Sequence, residues 1–281
     1  MNRLIRADFA RLFKNTVFYV LLIGFSAAGI IAGSVLSAKL DSFYFEDFLY
    51  GAVAFMGLTA AVFVSLFTGT EYSDGTIRNK LTAGHSRAAI YLAHLIVCCA
   101  AVLIVALAYV ATMIASGAAC GGRMASSPRT FAFFMLCALL VTAAYVTFMN
   151  CLSWIISSRA ISSVICIIAA LAFLFAAAYV NQRLAEPETK DIYVMADEAG
   201  VPTQVETVPN PSYVEGRTRE TLEFINDVLP SGQGVQMASV PGENWAGVEA
   251  PYPVRWICCS LAFCTVMTGA GLLLFKRKEI R

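Results

Sequence analysis

The sequence predicts an all-α membrane protein with six transmembrane helices, an N-terminal amphipathic interfacial helix, a short cytoplasmic helix after the second span, and an outer loop domain between spans five and six. Three observations carry this. Hydrophobic residues make up 58% of the 281-residue chain and charged residues only 14%, well below the roughly 25% charge of soluble domains. The charges are also segregated: Ile161 to Val180 holds no Asp, Glu, Lys, Arg or His, and at ~1.5 Å per residue such a stretch crosses the ~30 Å hydrocarbon core. Finally, apolar segments recur to the end of the chain, which a cleaved signal peptide does not explain.

The six segments run over Thr16–Ala38, Phe48–Gly69, Ala88–Ala118, Thr130–Ser157, Ile161–Val180 and Val254–Phe275. The third and fourth exceed a perpendicular span, so they tilt or project. Tyr19, Tyr44, Tyr50, Tyr179, Trp154 and Trp256 lie near segment ends, where aromatic belts sit. The chain thus divides into 1–15 (interfacial helix), 16–180 (spans one to five, with the short helix near 71–87), 181–253 (outer domain) and 254–281 (sixth span and basic tail).

Lys and Arg set the orientation. With the N-terminus inside, the cytoplasmic side holds Arg3, Arg6, Arg11, Lys14, Arg78, Lys80, Arg87, Arg159, Lys276, Arg277, Lys278 and Arg281 against the acids Asp8, Glu71, Asp74 and Glu279. The outer side is net acidic, although Arg123 and Arg129 run against the bias. Both termini are expected to be cytoplasmic.

Within the first fifteen residues, Ile5, Phe9, Leu12 and Phe13 share one side of a helix, with Leu4 at its margin. Arg3, Arg6, Arg11 and Lys14 share the other. Asp8 roughens the apolar edge between Leu4 and Leu12, and Arg11 stands three residues on as a partner. Such a basic helix is suited to the inner headgroup layer; the plainer reading is an extension of the first span with snorkelling bases. Gly29 and Gly33 form a GxxxG in the first span, which permits close helix approach within the chain or to a second copy.

Of nine cysteines, all but Cys120 fall inside apolar segments, and Cys98–Cys99 and Cys258–Cys259 lack CxxC spacing. They read as small hydrophobes. The polar region from Asn181 to Pro253 reads as a small domain or as a cover on the span ends; the limited core favours the cover. Within it, Leu222, Ile225, Val228 and Leu229 have helical spacing, closed by Pro230 and Gly232.

The loop Glu71–Arg87 is the most informative stretch. Asp74 is placed to cap a short helix from Gly75, with Thr76 in its first turn and Ile77 and Leu81 on one face. Gly84 ends that helix and Ser86 is placed to cap the next. This leaves Arg78, Asn79 and Lys80 available to a partner, unless the segment is simply a well-capped loop.

Glu71, then Gly75-Thr76-Ile77-Arg78-Asn79-Lys80-Leu81, then Gly84-His85-Ser86-Arg87 resemble the signature of ABC-2 type transporter permeases. The basic N-terminal helix and the long loop before the last span fit the same layout. Leu229-Pro230-Ser231-Gly232-Gln233-Gly234 is similar to a segment of bacterial drug and lantibiotic exporter permeases. The resemblance implies the permease subunit of a multidrug or peptide ABC exporter in the bacterial cytoplasmic membrane. Its partners would be a separate ABC ATPase and a second permease, like or unlike this chain. Glu71–Arg87 would be the coupling helix held in a cleft of the ATPase, with Glu71 and Arg78 either paired or touching it.

Other chemistry finds little support. The chain lacks G-x-x-x-x-G-K-[ST], so ATP and Mg are expected on the partner and no cofactor, enzymatic activity or nucleic-acid partner on this chain. His85 and His94 belong to no metal-binding pattern. Few acids fall inside the spans, which disfavours a proton or sodium relay. Asn150, the most polar residue of the fourth span, either bonds between helices or lines a pathway. The alternative function is a membrane sensor or accessory subunit whose outer domain binds a ligand.

Overall fold

Residues 1–39, 44–196, 202–239 and 252–278 are described by a computed structural model. Residues 240–251 of the expected outer domain, and the tail charges Glu279 and Arg281, lie outside them. The helices are α1 (Asn2–Leu12), α2 (Thr16–Lys39), α3 (Phe45–Leu49), α4 (Gly51–Ser73), α5 (Thr76–Thr82), α6 (Arg87–Ala119), α7 (Pro128–Ile155) and α8 (Arg159–Ala185). An antiparallel pair, β1 (Thr189–Ala196) and β2 (Pro202–Pro209), is followed by α9 (Gly216–Val228), α10 (Pro230–Ala238) and α11 (Tyr252–Arg277).

Six of these helices, α2, α4, α6, α7, α8 and α11, are long and apolar enough to cross a membrane. At 33 residues, α6 has a rise of ~50 Å, which leaves room for tilt or for turns beyond the hydrocarbon. α4 is the central span: it packs on α7 and α8, and 67% of its most apolar window is buried, against 17% for α2. α11 leans chiefly on α7, while α1 lies along α6.

α2 packs most extensively on α6, and the two glycines explain how. A Cβ on Gly29 would lie 2.6 Å from the Tyr109 carbonyl oxygen, and one on Gly33 would lie 2.5 Å from that of Met113. Without side chains, the two backbones approach to dispersion contact, which drives association where lipid supplies no hydrophobic force. The GxxxG therefore serves packing within the chain.

The end of the bundle away from α1 is closed by a buried acid. Glu46 accepts hydrogen bonds from the Ser126 amide (2.9 Å), the Ala125 amide (3.1 Å) and the Ser126 hydroxyl (2.7 Å), fixing the turn between α6 and α7. Three aromatics expected in interfacial belts are core anchors instead: Tyr50, Trp154 and Trp256 are buried. Tyr19 and Tyr179 are exposed.

Pro230 opens a helix rather than closing one. It occupies the first turn of α10, where its missing N–H costs nothing. The buried face of α9 is also polar, carrying Asn226 and Asp227, while Ile225 of the expected apolar stripe points outward, as does Phe224. Asp227 is met by α10 and α11. Gln233 donates to the Asp227 carbonyl (2.6 Å) and accepts from Ser260 (2.8 Å), and Asp227 pairs with Arg255 (2.9 Å). α10 packs in turn on α4 and α8, joining this region to the spans.

All nine cysteines are free thiols, and eight lie within α6, α7, α8 and α11. Gly33→Leu is expected to push α2 off α6 and cost at least ~1–3 kcal/mol, the scale of overpacking. Thermal unfolding in detergent checks this, with Gly24→Leu, where a Cβ meets nothing, as the neutral control.

Candidate functional site

The end of the bundle that carries α1 and α5 gathers four charges from three elements. Glu71, in the last turn of α4, and Asp8, midway along α1, are both fully buried. Lys80 of α5 donates to Asp8 (2.7 Å) and to both Glu71 oxygens (2.8 and 3.0 Å). Arg11 of α1 pairs with Glu71 through one nitrogen, donates to the Thr70 hydroxyl through the other (3.2 Å), and lies over the Phe67 ring. Thr76 adds a donor to Glu71 at 3.1 Å. Two acids and two bases balance to zero, which a buried set requires because one unmatched charge costs several kcal/mol. Burial is the main influence on Lys80 and pushes its pKa below the ordinary lysine value; the hydrogen bond to Asp8 pulls it back.

The backbone places these groups through two left-handed glycines. Gly75 (φ 63°) turns the chain from α4 into α5, and Gly84 (φ 82°) ends α5. There the Gly84 amide donates to Leu81 and the His85 amide to Lys80, a Schellman stop. The Ser86 hydroxyl then caps α6 by accepting from the Ala89 amide (3.2 Å). Asp74 does not cap α5; it ends α4, and its carboxylate accepts from Ser73 (3.1 Å).

The expected site residues therefore divide in two. Ile77 is buried, Leu81 packs on the core, and Glu71, Thr76 and Lys80 are spent within the charge cluster. Arg87 donates to the Phe275 carbonyl (3.0 Å) at the end of α11. Asp74, Arg78, Asn79 and Ser86 remain exposed. Lys80, read from sequence as available to a partner, is thus turned inward, because two buried carboxylates lie on that side. Glu71 pairs with Arg11 and Lys80, and Arg78 projects away from the protein.

α1 also buries a different face from the expected one. Its buried line is Leu4, Asp8 and Leu12, facing α6, whereas Ile5 and Phe9 are half-buried and Phe13 is exposed. Asp8 is the centre of the buried face, and its main partner is Lys80, with Arg11 more distant at 3.9 Å. A carboxylate four residues from each of two buried leucines was the signal for a partner outside the helix.

Deeper in the bundle, Asn150 of α7 is fully buried and its carbonyl oxygen joins two side chains. It lies 2.9 Å from His94 Nδ1 of α6 and accepts from Trp154 Nε1 (3.2 Å). With that oxygen accepting, Nδ1 carries the hydrogen. Phe67 and Trp154 enclose the imidazole, each 5.3 Å away between ring centroids. Asn150, a candidate pathway residue in the sequence, lines neither the apolar groove of about 570 Å³ between α2 and α4 nor the polar cleft of about 390 Å³ beside α9.

Asp8→Asn and Lys80→Met are each expected to destabilise the protein by ~3–5 kcal/mol, since each strands a buried charge. The double variant restores neutrality and should lose less than the sum by ~1–3 kcal/mol, measurable by thermal unfolding.

Residues 4–177 match a family model described as ABC-2 family transporter protein. No individual curated protein matches the chain. The matched stretch contains α1 from Leu4 onward, α5, the four-charge cluster and the first four spans complete, and it ends eight residues short of the end of α8. It covers more than half of the sequence, and together with six membrane-length helices it makes the chain a multi-pass membrane protein of the permease type, belonging to the ABC-2 family of transporter proteins.

Proposed function

We propose that this permease is driven by a separate ATP-binding subunit that grips α5, and that with a second permease it forms the export path. The observation that carries this reading is that α5 is exposed on one side and ionically fastened on the other. A loop serving only to connect α4 and α6 needs neither feature. Arg78 and Asn79 are its outward polar groups, and Asp74 before it and Thr82 and Ala83 at its end extend the same exposed surface. Because Lys80 ties it to α1 and α4 together, a displacement of α5 carries both with it. α4 then transmits to its neighbours α7 and α8, and α1 transmits to α6.

The charge distribution supports a cytoplasmic position for this end. Arg3, Arg6, Arg78, Lys276 and Arg277 are all exposed around it, as expected of the inner side of a bacterial cytoplasmic membrane. Ile5, Phe9 and Phe13 lie on the side of α1 suited to lipid, with Arg3 and Arg6 at headgroup level. In this reading ATP and Mg bind the partner, and this chain converts the closure of two ATPases into a tilt of its spans.

Affinity purification from native membranes tests the reading. The wild-type chain should bring down a soluble nucleotide hydrolase. Arg78→Glu should lower the captured amount about tenfold, roughly the effect of losing ~1.4 kcal/mol at an interface. An Arg78→Glu/Asn79→Glu chain that unfolds at the wild-type temperature and captures the hydrolase undiminished would overturn it.

A further inference from the structure

The last three described residues of the basic tail do not behave alike. Lys276 and Arg277 are exposed, as charges serving only topology would be. Lys278 turns inward. Its ammonium donates to the Tyr72 hydroxyl (3.0 Å) and to the Trp154 carbonyl (2.9 Å), and lies 4.3 Å from the centroid of the Tyr72 ring. Tyr72 donates to the same Trp154 carbonyl at 2.9 Å. Trp154 is the penultimate residue of α7, so its carbonyl has no partner within the helix and accepts a cation well. A closed triangle therefore joins the ends of α4, α7 and α11.

Its location gives it meaning. Tyr72 follows Glu71, the acid of the charge cluster, and precedes the Gly75 turn into α5 by three residues. α11 packs chiefly on α7, and α4 is not among its extensively packed partners. Arg87, the first residue of α6, braces the joint by donating to the carbonyls of Phe275 and Lys278 and lying over the Phe275 ring. The Trp154 ring packs on Phe275 at 4.3 Å between centroids.

We propose that Lys278 is a positioning residue that carries displacement of the α4–α5 junction to the last span. This rests on the reading of α5 as the element moved by an ATPase. Without Lys278, α5 still docks and α4 still moves, but the end of α11 no longer follows. Lys278 is half-buried where Lys276 and Arg277 are exposed, and this burial holds its amine down at about 8.

The full chain, purified with its captured hydrolase and reconstituted in liposomes, allows a test by hydrogen exchange with and without ATP plus vanadate. In the wild type, nucleotide should change exchange both in 76–82 and in 270–278. Lys278→Met should keep the change in 76–82 and reduce that in 270–278 about tenfold, within the usual range of coupling between sites. Lys278→Arg, which keeps the cation, should restore most of it, and Lys276→Met should match wild type. Tyr72→Phe, which deletes only the hydroxyl, should give the same selective loss in milder form, and guards against misfolding of the Met variant. An undiminished response of 270–278 in both Lys278→Met and Tyr72→Phe, or an equal loss in Lys276→Met, would overturn the inference while leaving the role of α5 intact. Failure of the wild-type chain to capture any hydrolase would overturn the underlying reading and this inference with it.

Discussion

Charge neutrality in a buried space organises the basic end of this protein. Asp8 and Glu71 are removed from water, so their charges must be matched, and the matching bases come from different elements. Lys80 reaches both acids from α5, and Arg11 reaches Glu71 from α1. Neither α4 nor α5 can leave without stranding a charge, and α1, which carries one acid and one base, can leave only by breaking the Asp8–Lys80 and Arg11–Glu71 pairs; the desolvation cost of a lone buried ion greatly exceeds that of a surface ion pair. Two short helices that bury only a few apolar side chains, Leu4 and Leu12 of α1 and Ile77 of α5, are fixed to the end of α4 by these pairs.

The spans are assembled by a different force. Lipid chains are as apolar as leucine, so burial alone does little to join helices within a membrane. The α2–α6 contact depends on two glycines, and the α6–α7 contact on the bond between His94 and Asn150. At the far end Glu46 and Gln233 bind loops and short helices to the bundle through fully used polar groups. Apolar surface identifies the spans, and small or polar residues specify their neighbours. A mechanical load on α5 would thus meet a frame that is tied at particular points, with oily sliding surfaces in between.

The six spans were legible in the sequence because twenty apolar residues in a row leave few alternatives. The two glycine turns and the Ser86 cap were legible for a similar reason, as local backbone chemistry confined to a few residues. What could not be read locally was which way a polar side chain would turn. Lys80 reads as one of three exposed polar residues until Asp8, 72 residues away, is brought beside it. Asp8 looked like a flaw in an amphipathic helix for the same reason. Lys278 resembled ordinary topological charge, and Pro230 a helix stop, until their neighbours in space were known. The antiparallel pair β1–β2 went unread because Pro and Gly punctuation hid two short strands.

The central claim is that α5 is an exposed handle gripped from the cytosol. A photo-reactive amino acid at Asn79, with a second at Arg217 as the opposite-end control, tests it most directly in intact cells. The account predicts an adduct between position 79 and a soluble nucleotide hydrolase, and none from position 217. An adduct from position 79 only to proteins on the extracytoplasmic side, or to no hydrolase at all, would contradict it.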